Sequence, residues 1–544
     1  MTLTVFHSGS VAGAPAGQTT AVAVTDGIIT AIGPAAGDLA SIADVLHDLR
    51  GGYLGPAFGD GHAHPLFAGL EDVGPQIRHC TDLDEILAAV ARWADEHPGD
   101  EWIVGASYDA TLSEDGCFDA RWLDSVVSDR PVLLRAWDYH TVWVNSRALE
   151  ISGITSDTPE PELGRIIRRP NGSPLGTLCE PGAIDLVAAH VPAHGQDTLV
   201  SALSRATSAF ARAGVSWVQD AWVETESLDA YLAAARQGAL HTRVNLAFRA
   251  DPLRWAGQLP EFAAARDRVI AAGGELLSAN TIKFFLDGIV ESHTAHMIDA
   301  YADCPGSRGL PNWEDHSLID AAIAVDSMGF QLHLHAIGDA AVRQGLDTIA
   351  AVVAANGPRD RRPVMAHLQS ISPTDLPRFR ELGVIANFEP LWAQRDTVMT
   401  ELTFPRLGAE RASRQFQISE VAASGVRVSF GSDWPVTHHH PMPGIGTAVT
   451  RTGLSDPDIP PLAGAPYGVV DALDSYSAQV AYQAFADHER GTLAAGQIAD
   501  LVWLESDPRS IAEHDVAGVK VLGTWLAGKP THLTTPEPAL DGIR

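Results

Sequence analysis

Thr281-Ile282-Lys283-Phe284-Phe285-Leu286 is an apolar run of strand length with one lysine inside it. Seven more runs of this kind lie along the chain: Tyr53–Phe58, Val215–Gln219, Arg243–Phe248, Phe330–His335, Pro363–His367, Val384–Phe388 and Val426–Phe430. Ala-rich stretches of helical character separate them, among them Leu199–Ala213, Ser317–Met328, Asp339–Ala354 and Ser419–Ser424. Strand and helix alternating in this way read as βα units around a parallel sheet, and eight such units suit a closed barrel. The expected fold is α/β, a TIM-like (β/α)8 barrel over residues 55–487. Glu71 to about Pro192 breaks the rhythm and carries its own strand, Val132–Trp137, so an insertion over about 71–192 is expected after the first strand.

The two ends of the chain read differently. Thr20–Val24 and Ile28–Ile32 flank Asp26-Gly27, a strong hairpin signal. Ala499–Leu504 and Val519–Leu526 are strand-like as well. Neither end holds enough apolar residues to form a domain alone. Residues 1–54 and 488–544 are therefore expected to combine into one small β-sandwich domain beside the barrel, with a loosely held tail after Lys529.

At 45% hydrophobic and 19% charged, the 544 residues have the composition of a globular protein. Lys+Arg 37 against Asp+Glu 68 leaves a net charge of -31, which repels phosphate backbones and anionic lipid. Nucleic-acid and membrane partners are thereby disfavoured, and a small-molecule substrate is expected. Cys80, Cys117, Cys179 and Cys304 are scattered, which argues against a disulfide framework and a cysteine zinc site. Met1–Ala12 shows no basic stretch leading into an apolar one, and no apolar run reaches the ~18 residues of a membrane helix. The expected location is the cytoplasm, and a homodimer is a possible assembly. No internal repeat is evident.

Polar residues collect where the strands end. His62-Ala63-His64 follows strand one, and the i, i+2 spacing places both imidazoles on one side of an extended chain, as two ligands of one metal require. Taken alone, such a pair is more often two loop histidines. His335, His367 and Asp433 end three further strands, at the face where barrel residues converge. Buried imidazoles and carboxylates need partners, so core packing does not account for the set. His333 shares a strand face with His335, and spacing does not choose between them. His438-His439-His440 lies past the last strand and reads as a solvated loop. Lys283 is one of three lysines, with Lys520 and Lys529, in a chain that otherwise uses arginine. Burial lowers a lysine pKa, and a neutral amine can take up CO2 to give a carbamate, a short anionic bridge between metals that guanidinium does not readily form. The competing reading pairs Lys283 with Asp287, two pleats along on the same side.

Five blocks carry a family resemblance: Gly55-Pro56-Ala57-Phe58-Gly59-Asp60-Gly61-His62-Ala63-His64, Ile282-Lys283-Phe284-Phe285-Leu286-Asp287-Gly288, His335-Ala336-Ile337-Gly338-Asp339, Ala366-His367-Leu368-Gln369 and Gly431-Ser432-Asp433-Trp434-Pro435. Together they resemble the amidohydrolase superfamily, and within it amidohydrolase family 3, the branch that includes N-substituted formamide deformylases. Asp138-Tyr139-His140 with Trp143-Val144-Asn145-Ser146 resembles a further block, and Gly491-Thr492-Leu493 through Gly496-Gln497-Ile498-Ala499-Asp500-Leu501 resembles the closing signature. The resemblance spans nearly the whole chain, although Tyr139 stands where the family often has Gly.

It implies that His62 and His64 hold one metal, that His335 and His367 hold another, and that carbamylated Lys283 bridges them; it also favours His335 over His333. Asp433, counted with the metal ligands, is the expected proton shuttle between attacking water and leaving amine. Zinc is the first expectation, one or two ions per chain, with iron and manganese also suited to His and carboxylate ligands. His140 and Asn145 are candidates to hold the substrate carbonyl, and Trp392 and Trp434 to wall the pocket. The implied activity is hydrolysis of an amide-type C–N bond by metal-activated water. A deaminase is the nearest rival, but it would place Glu where this chain has Gly338. A non-catalytic assembly relative would have lost ligands that are all present here.

Overall fold

Eight parallel strands run in chain order in a computed structural model that describes residues 1–453 and 459–534. They are β1 (Phe58–Ala63), β2 (Val215–Val223), β3 (Arg243–Arg249), β4 (Leu277–Phe285), β5 (Gln331–Ala336), β6 (Val364–His367), β7 (Ile385–Phe388) and β8 (Val428–Phe430). Each pairs with the next, and the register sets Lys283 beside His333, Phe285 beside His335, and Ala336 beside His367. Between β8 and β1 the ring is completed by hydrogen bonds from the following loop. Asp433 N donates to His62 O at 2.7 Å, and Ser432 N donates to Asp60 Oδ1 at 3.0 Å.

The first strand lies later than its sequence suggests. Tyr53–Pro56 pairs with Leu3–Val11 and Leu501–Leu504 in the terminal sheet, and Phe58–Ala63 takes the barrel position. Glycine weakens a strand on propensity, yet here close packing requires it. A Cβ on Gly61 would lie 2.5 Å from Asn387 Nδ2, and one on Gly59 would lie 2.5 Å from Val480 Cγ1.

Aliphatic and aromatic side chains between the strands and the outer helices form the main core. Low inside the barrel, a polar belt replaces them. Asn245 Nδ2 donates to Gln219 Oε1 (2.7 Å) and Thr281 Oγ1 (2.8 Å), Thr281 donates to Gln331 Oε1 (3.1 Å), and Gln331 donates to Gln483 O (3.0 Å). Each member is buried and satisfied, which makes the belt a firm floor for the side chains above it.

Chain ends meet in a single eight-stranded sheet, not in two separately bonded sheets as a sandwich would have. Its path is Lys529–Leu533, Val521–Leu526, Leu501–Leu504, Tyr53–Pro56, Leu3–Val11, Thr19–Thr25 and Ile28–Ile32, with Val45–Asp48 added beside Leu3–Val11. The sheet bends over itself: Phe6 and Trp525 lie three strands apart along the path, yet their rings are 4.9 Å apart. Asp26 and Gly27 both take positive φ (48° and 83°), as the tight hairpin between Thr19–Thr25 and Ile28–Ile32 requires. The stretch after Lys529 is an edge strand to Leu533, and residues 535–544 lie outside the described residues.

The segment inserted after β1 builds its own five-stranded sheet, ordered Arg165–Arg168, Pro174–Cys179, Thr141–Val144, Val132–Ala136 and Ile103–Tyr108. Two further apolar clusters pack on it, one around Tyr108, Phe118 and Trp143, the other around Val142, Leu178 and Ile184. Among the described residues, no helix is long and apolar enough to cross a membrane.

Candidate active site

Barrel strands deliver a tight group of side chains to the mouth. His62 ends β1, His64 follows it, Lys283 lies in β4, His335 in β5, His367 ends β6, and Asp433 follows β8. Ligand atoms of His62, His367 and Asp433 all lie within 4.8 Å of one another. His64 Nε2 is 2.8 Å and His62 Nε2 3.6 Å from Asp433 Oδ1, and Lys283 Nζ is 3.3 Å from His62 Nε2. Ring centres of His335 and His367 are 4.4 Å apart. All six residues are buried.

A second set of groups turns these ligands. His333 Nε2 lies 2.9 Å from His62 Nδ1, and Glu389 Oε2 lies 3.0 Å from His367 Nδ1. Committing one ring nitrogen to such a partner leaves the other free to ligate. His335 Nε2 is 3.3 Å from Gly288 O and 3.5 Å from Asp287 Oδ1. The alternative pairing of Lys283 with Asp287 is not made. Asp287 instead accepts backbone N–H bonds from Ile337 (3.0 Å), Gly338 (2.8 Å) and His296 (2.8 Å).

Electrostatics favour neutral donors. Burial holds His62, His335 and His367 well below the ordinary imidazole range, and it pulls Lys283 down to about 7 against the opposing pull of Asp433 and Glu389. His367 Nε2 and His64 Nδ1 are buried without a hydrogen-bond partner. An orphaned imidazole nitrogen among neutral imidazoles, a carboxylate and an amine with no carboxylate partner fits a borderline transition-metal ion better than it fits a packed core. The residues therefore suit a resident metal.

A cavity of about 310 Å³ opens beside this group. His140, His335 and Asp433 line it, with an apolar wall that includes Trp392, Leu391, Met399 and Phe416. Trp392 stacks on the His367 ring at 5.3 Å and 8°. His140 comes from the inserted sheet, and its Nδ1 is 2.9 Å from Glu180 Oε2; burial works to lower its pKa, but Glu180 and Asp138 raise it to about 9.

Two expected substrate contacts are not brought here. Asn145 is fully buried in the inserted segment, where backbone groups occupy both ends of its amide. Trp434 turns away from the cavity, its ring 5.1 Å from Phe210 and 4.3 Å from His439. Tyr139 also faces away: its hydroxyl donates to Glu71 Oε1 at 2.8 Å and its ring stacks on Phe67. Its φ of 60° lies in the region glycine favours, which explains glycine as the commoner residue there. Sequence reasoning missed Glu389 and Glu180. Glu389 directly follows β7, so the strand-end rule that found Asp433 covers it; Glu180 lies outside the barrel, and no local signal marks it.

An eight-stranded parallel barrel with a histidine-rich mouth defines the class. The chain matches the amidohydrolase family over residues 46–532 and belongs to it. It is 30% identical over 503 residues to the protein LONG AFTER FAR-RED 3 of Arabidopsis thaliana, covering 89% of this chain and 82% of that one. It is 26% identical over 520 residues to an N-substituted formamide deformylase of Arthrobacter pascens, covering 93% and 94% of the two chains. In fold it resembles the crystal structure of an uncharacterized metal-dependent hydrolase from Pyrococcus horikoshii OT3, with a TM-score of 0.71 at 20% identity over 94% of this chain and 99% of that one.

Proposed function

We propose that this amidohydrolase-family chain is a metal-dependent hydrolase of an amide-type C–N bond in a small substrate, such as an N-substituted formamide or another N-acyl compound. The observation that carries the reading is the buried convergence of His62, His64, His367 and Asp433 around Lys283, with His367 Nε2 left without a partner. His62 and His64 would hold one ion and His335 and His367 a second, with zinc the first expectation. A carbamate on Lys283 would bridge them; the amine is buried and makes no ion pair with a carboxylate among the described residues. Such an ion supplies an activated water and polarises the scissile carbonyl. Asp433 takes the proton from the attacking water and passes it to the leaving nitrogen as the C–N bond breaks. Trp392 and the apolar wall enclose the substituent.

Local packing also favours amide hydrolysis over deamination. At Gly338, where a barrel deaminase would carry Glu, a Cβ would lie 2.0 Å from His296 O. The test is elemental analysis joined to a panel of N-formyl, N-acyl and cyclic amides. Up to two transition-metal ions per chain and loss of hydrolysis on chelation are expected. Metal-free protein whose hydrolysis survives a chelator would overturn the proposal.

A further inference from the structure

The inserted sheet reaches the cavity through a buried pair. His140 immediately precedes the strand Thr141–Val144, and Glu180 follows Pro174–Cys179; the two strands pair antiparallel with Cys179 opposite Thr141. Glu180 N donates to His140 O at 2.8 Å, so the backbone itself sets the two side chains side by side. The Glu180 carboxylate has no exposure. One oxygen accepts from Thr294 Oγ1 at 2.5 Å, and the other lies 2.9 Å from His140 Nδ1. A carboxylate removed from water needs donors on both oxygens, and the imidazole is the only ion-pair partner Glu180 has among the described residues.

Two further features seat this carboxylate. Glu180 takes a φ of 66°, uncommon for a residue with a side chain. The space it fills exists because residue 288 is glycine: a Cβ there would lie 1.9 Å from Glu180 Oε1 and 2.2 Å from Thr294 Oγ1. Gly288 O in turn lies 3.3 Å from His335 Nε2, so the pair sits against the metal-ligand group. With Nδ1 committed to Glu180, the Nε2 edge of His140 has no protein partner among the described residues, and His140 lines the cavity with His335 and Asp433.

We propose that His140 is a catalytic residue that donates its Nε2–H to the carbonyl oxygen of the bound amide, and that Glu180 is the positioning residue that keeps the ring oriented as a donor. The assignment rests on the amide-hydrolase reading. As water adds to the carbonyl carbon, the C=O electron pair moves onto oxygen and the His140 hydrogen bond strengthens. When the pair returns, the C–N bond breaks and the nitrogen leaves with the proton carried by Asp433. His140 acts as the imidazolium, its Nδ1–H held by the Glu180 carboxylate that helps raise its pKa to about 9 and its Nε2–H on the carbonyl oxygen, and it keeps both protons throughout.

Three variants decide the matter: His140→Ala, Glu180→Gln and the double variant. His140→Ala should lower kcat roughly a hundredfold, the range seen when one oxyanion donor is removed, with KM changed by less than about threefold. Free imidazole should restore part of the rate. Glu180→Gln should lower kcat by about tenfold or more, and the double variant should be no worse than His140→Ala alone, because Glu180 acts through His140. Losses that multiply, or single variants at wild-type kcat, overturn the proposal. Two readouts stand apart from hydrolysis. In metal-free protein, 15N-edited spectra should show a protected imidazole N–H proton that disappears in both single variants. In metal-loaded protein, calorimetric affinity for phenylphosphonate should fall about tenfold or more in both. If the wild type hydrolyses no amide, the hydrolase reading fails by itself, and these two readouts still decide whether the pair presents a donor to an oxyanion. Unchanged phosphonate affinity would refute it.

Discussion

Replacing Asn145 by alanine asks whether this side chain holds the inserted sheet or the substrate. Oδ1 accepts from Val132 N and Ala148 N, each at 3.0 Å, and the second of these bonds caps the helix Ser146–Ile151. Nδ2 donates to Val127 O at 3.0 Å and Arg130 O at 2.8 Å. Its exposure is 0%, so water does not reach the groups left behind without a rearrangement. Four bonds at a net ~1 kcal/mol each amount to about 4 kcal/mol. The capping bond alone falls in the ~0.5–2 kcal/mol range of N-cap replacements. At ~2–4 °C per kcal/mol for chains of a few hundred residues, the unfolding midpoint should drop by roughly 10 °C.

Thermal unfolding followed by circular dichroism measures the drop, and amide hydrolysis well below the new midpoint measures function. KM should stay within about twofold of wild type, because no substrate contact is lost. Asn145→Asp serves as the sharper control: it keeps the acceptor oxygen but sets a carboxylate against two carbonyls, so its midpoint should lie at or below that of the alanine variant. A midpoint within about 1 °C of wild type together with a tenfold rise in KM would refute the structural assignment and return Asn145 to the substrate.

Substitutions at two residues test the metal group. Lys283→Arg should lose both bound metal and activity, because a permanently charged guanidinium repels cations and does not readily become an anionic bridge; acetate should partly rescue Lys283→Ala. An active, metal-loaded arginine variant would leave the carbamate untenable. Asp433→Asn should keep its fold and much of its metal while losing about a hundredfold or more in rate, the range of general-base removal. A rate near wild type would move the proton shuttle to another residue.

The barrel was legible because its evidence is local and repeated. Seven of the eight apolar runs coincide with observed barrel strands, since a strand buried on both faces must be apolar along its length. The exception is instructive. The expected strand Tyr53–Phe58 stops where Gly59 and Gly61 begin, and only the neighbours Val480 and Asn387, far away in the chain, show why a side chain is excluded there. The metal-ligand candidates were legible for a related reason: each sits in or just beyond a strand, where polar residues interrupt an apolar pattern. Asn145 and Trp434 were misplaced because motif membership says that a residue matters but not what it touches. Asn145 matters to the backbone around it, and Trp434 to Phe210. The terminal sheet was legible as strands but not as one continuous sheet, because the pairing of Tyr53–Pro56 with Leu501–Leu504 joins segments hundreds of residues apart.

The same contrast between local and distant information runs through the mouth of the barrel. The ligand candidates and the apolar wall around Trp392 come from the barrel and its loops, but His140 comes from the inserted segment, which touches the rim at two places. Arg78 donates to Pro435 O at 2.6 Å, two residues past Asp433, and is itself held by Glu71 at 2.6 and 2.9 Å. Across the mouth, Glu180 fills the space beside Gly288, whose carbonyl faces His335. The inserted segment therefore contacts both rims: it bonds the loop that carries Asp433 and presents His140 to the cavity. This gives a physical reason for a buried capping residue such as Asn145 to fall within the same sequence block as His140. One places the donor, and the other keeps the sheet that carries it in register.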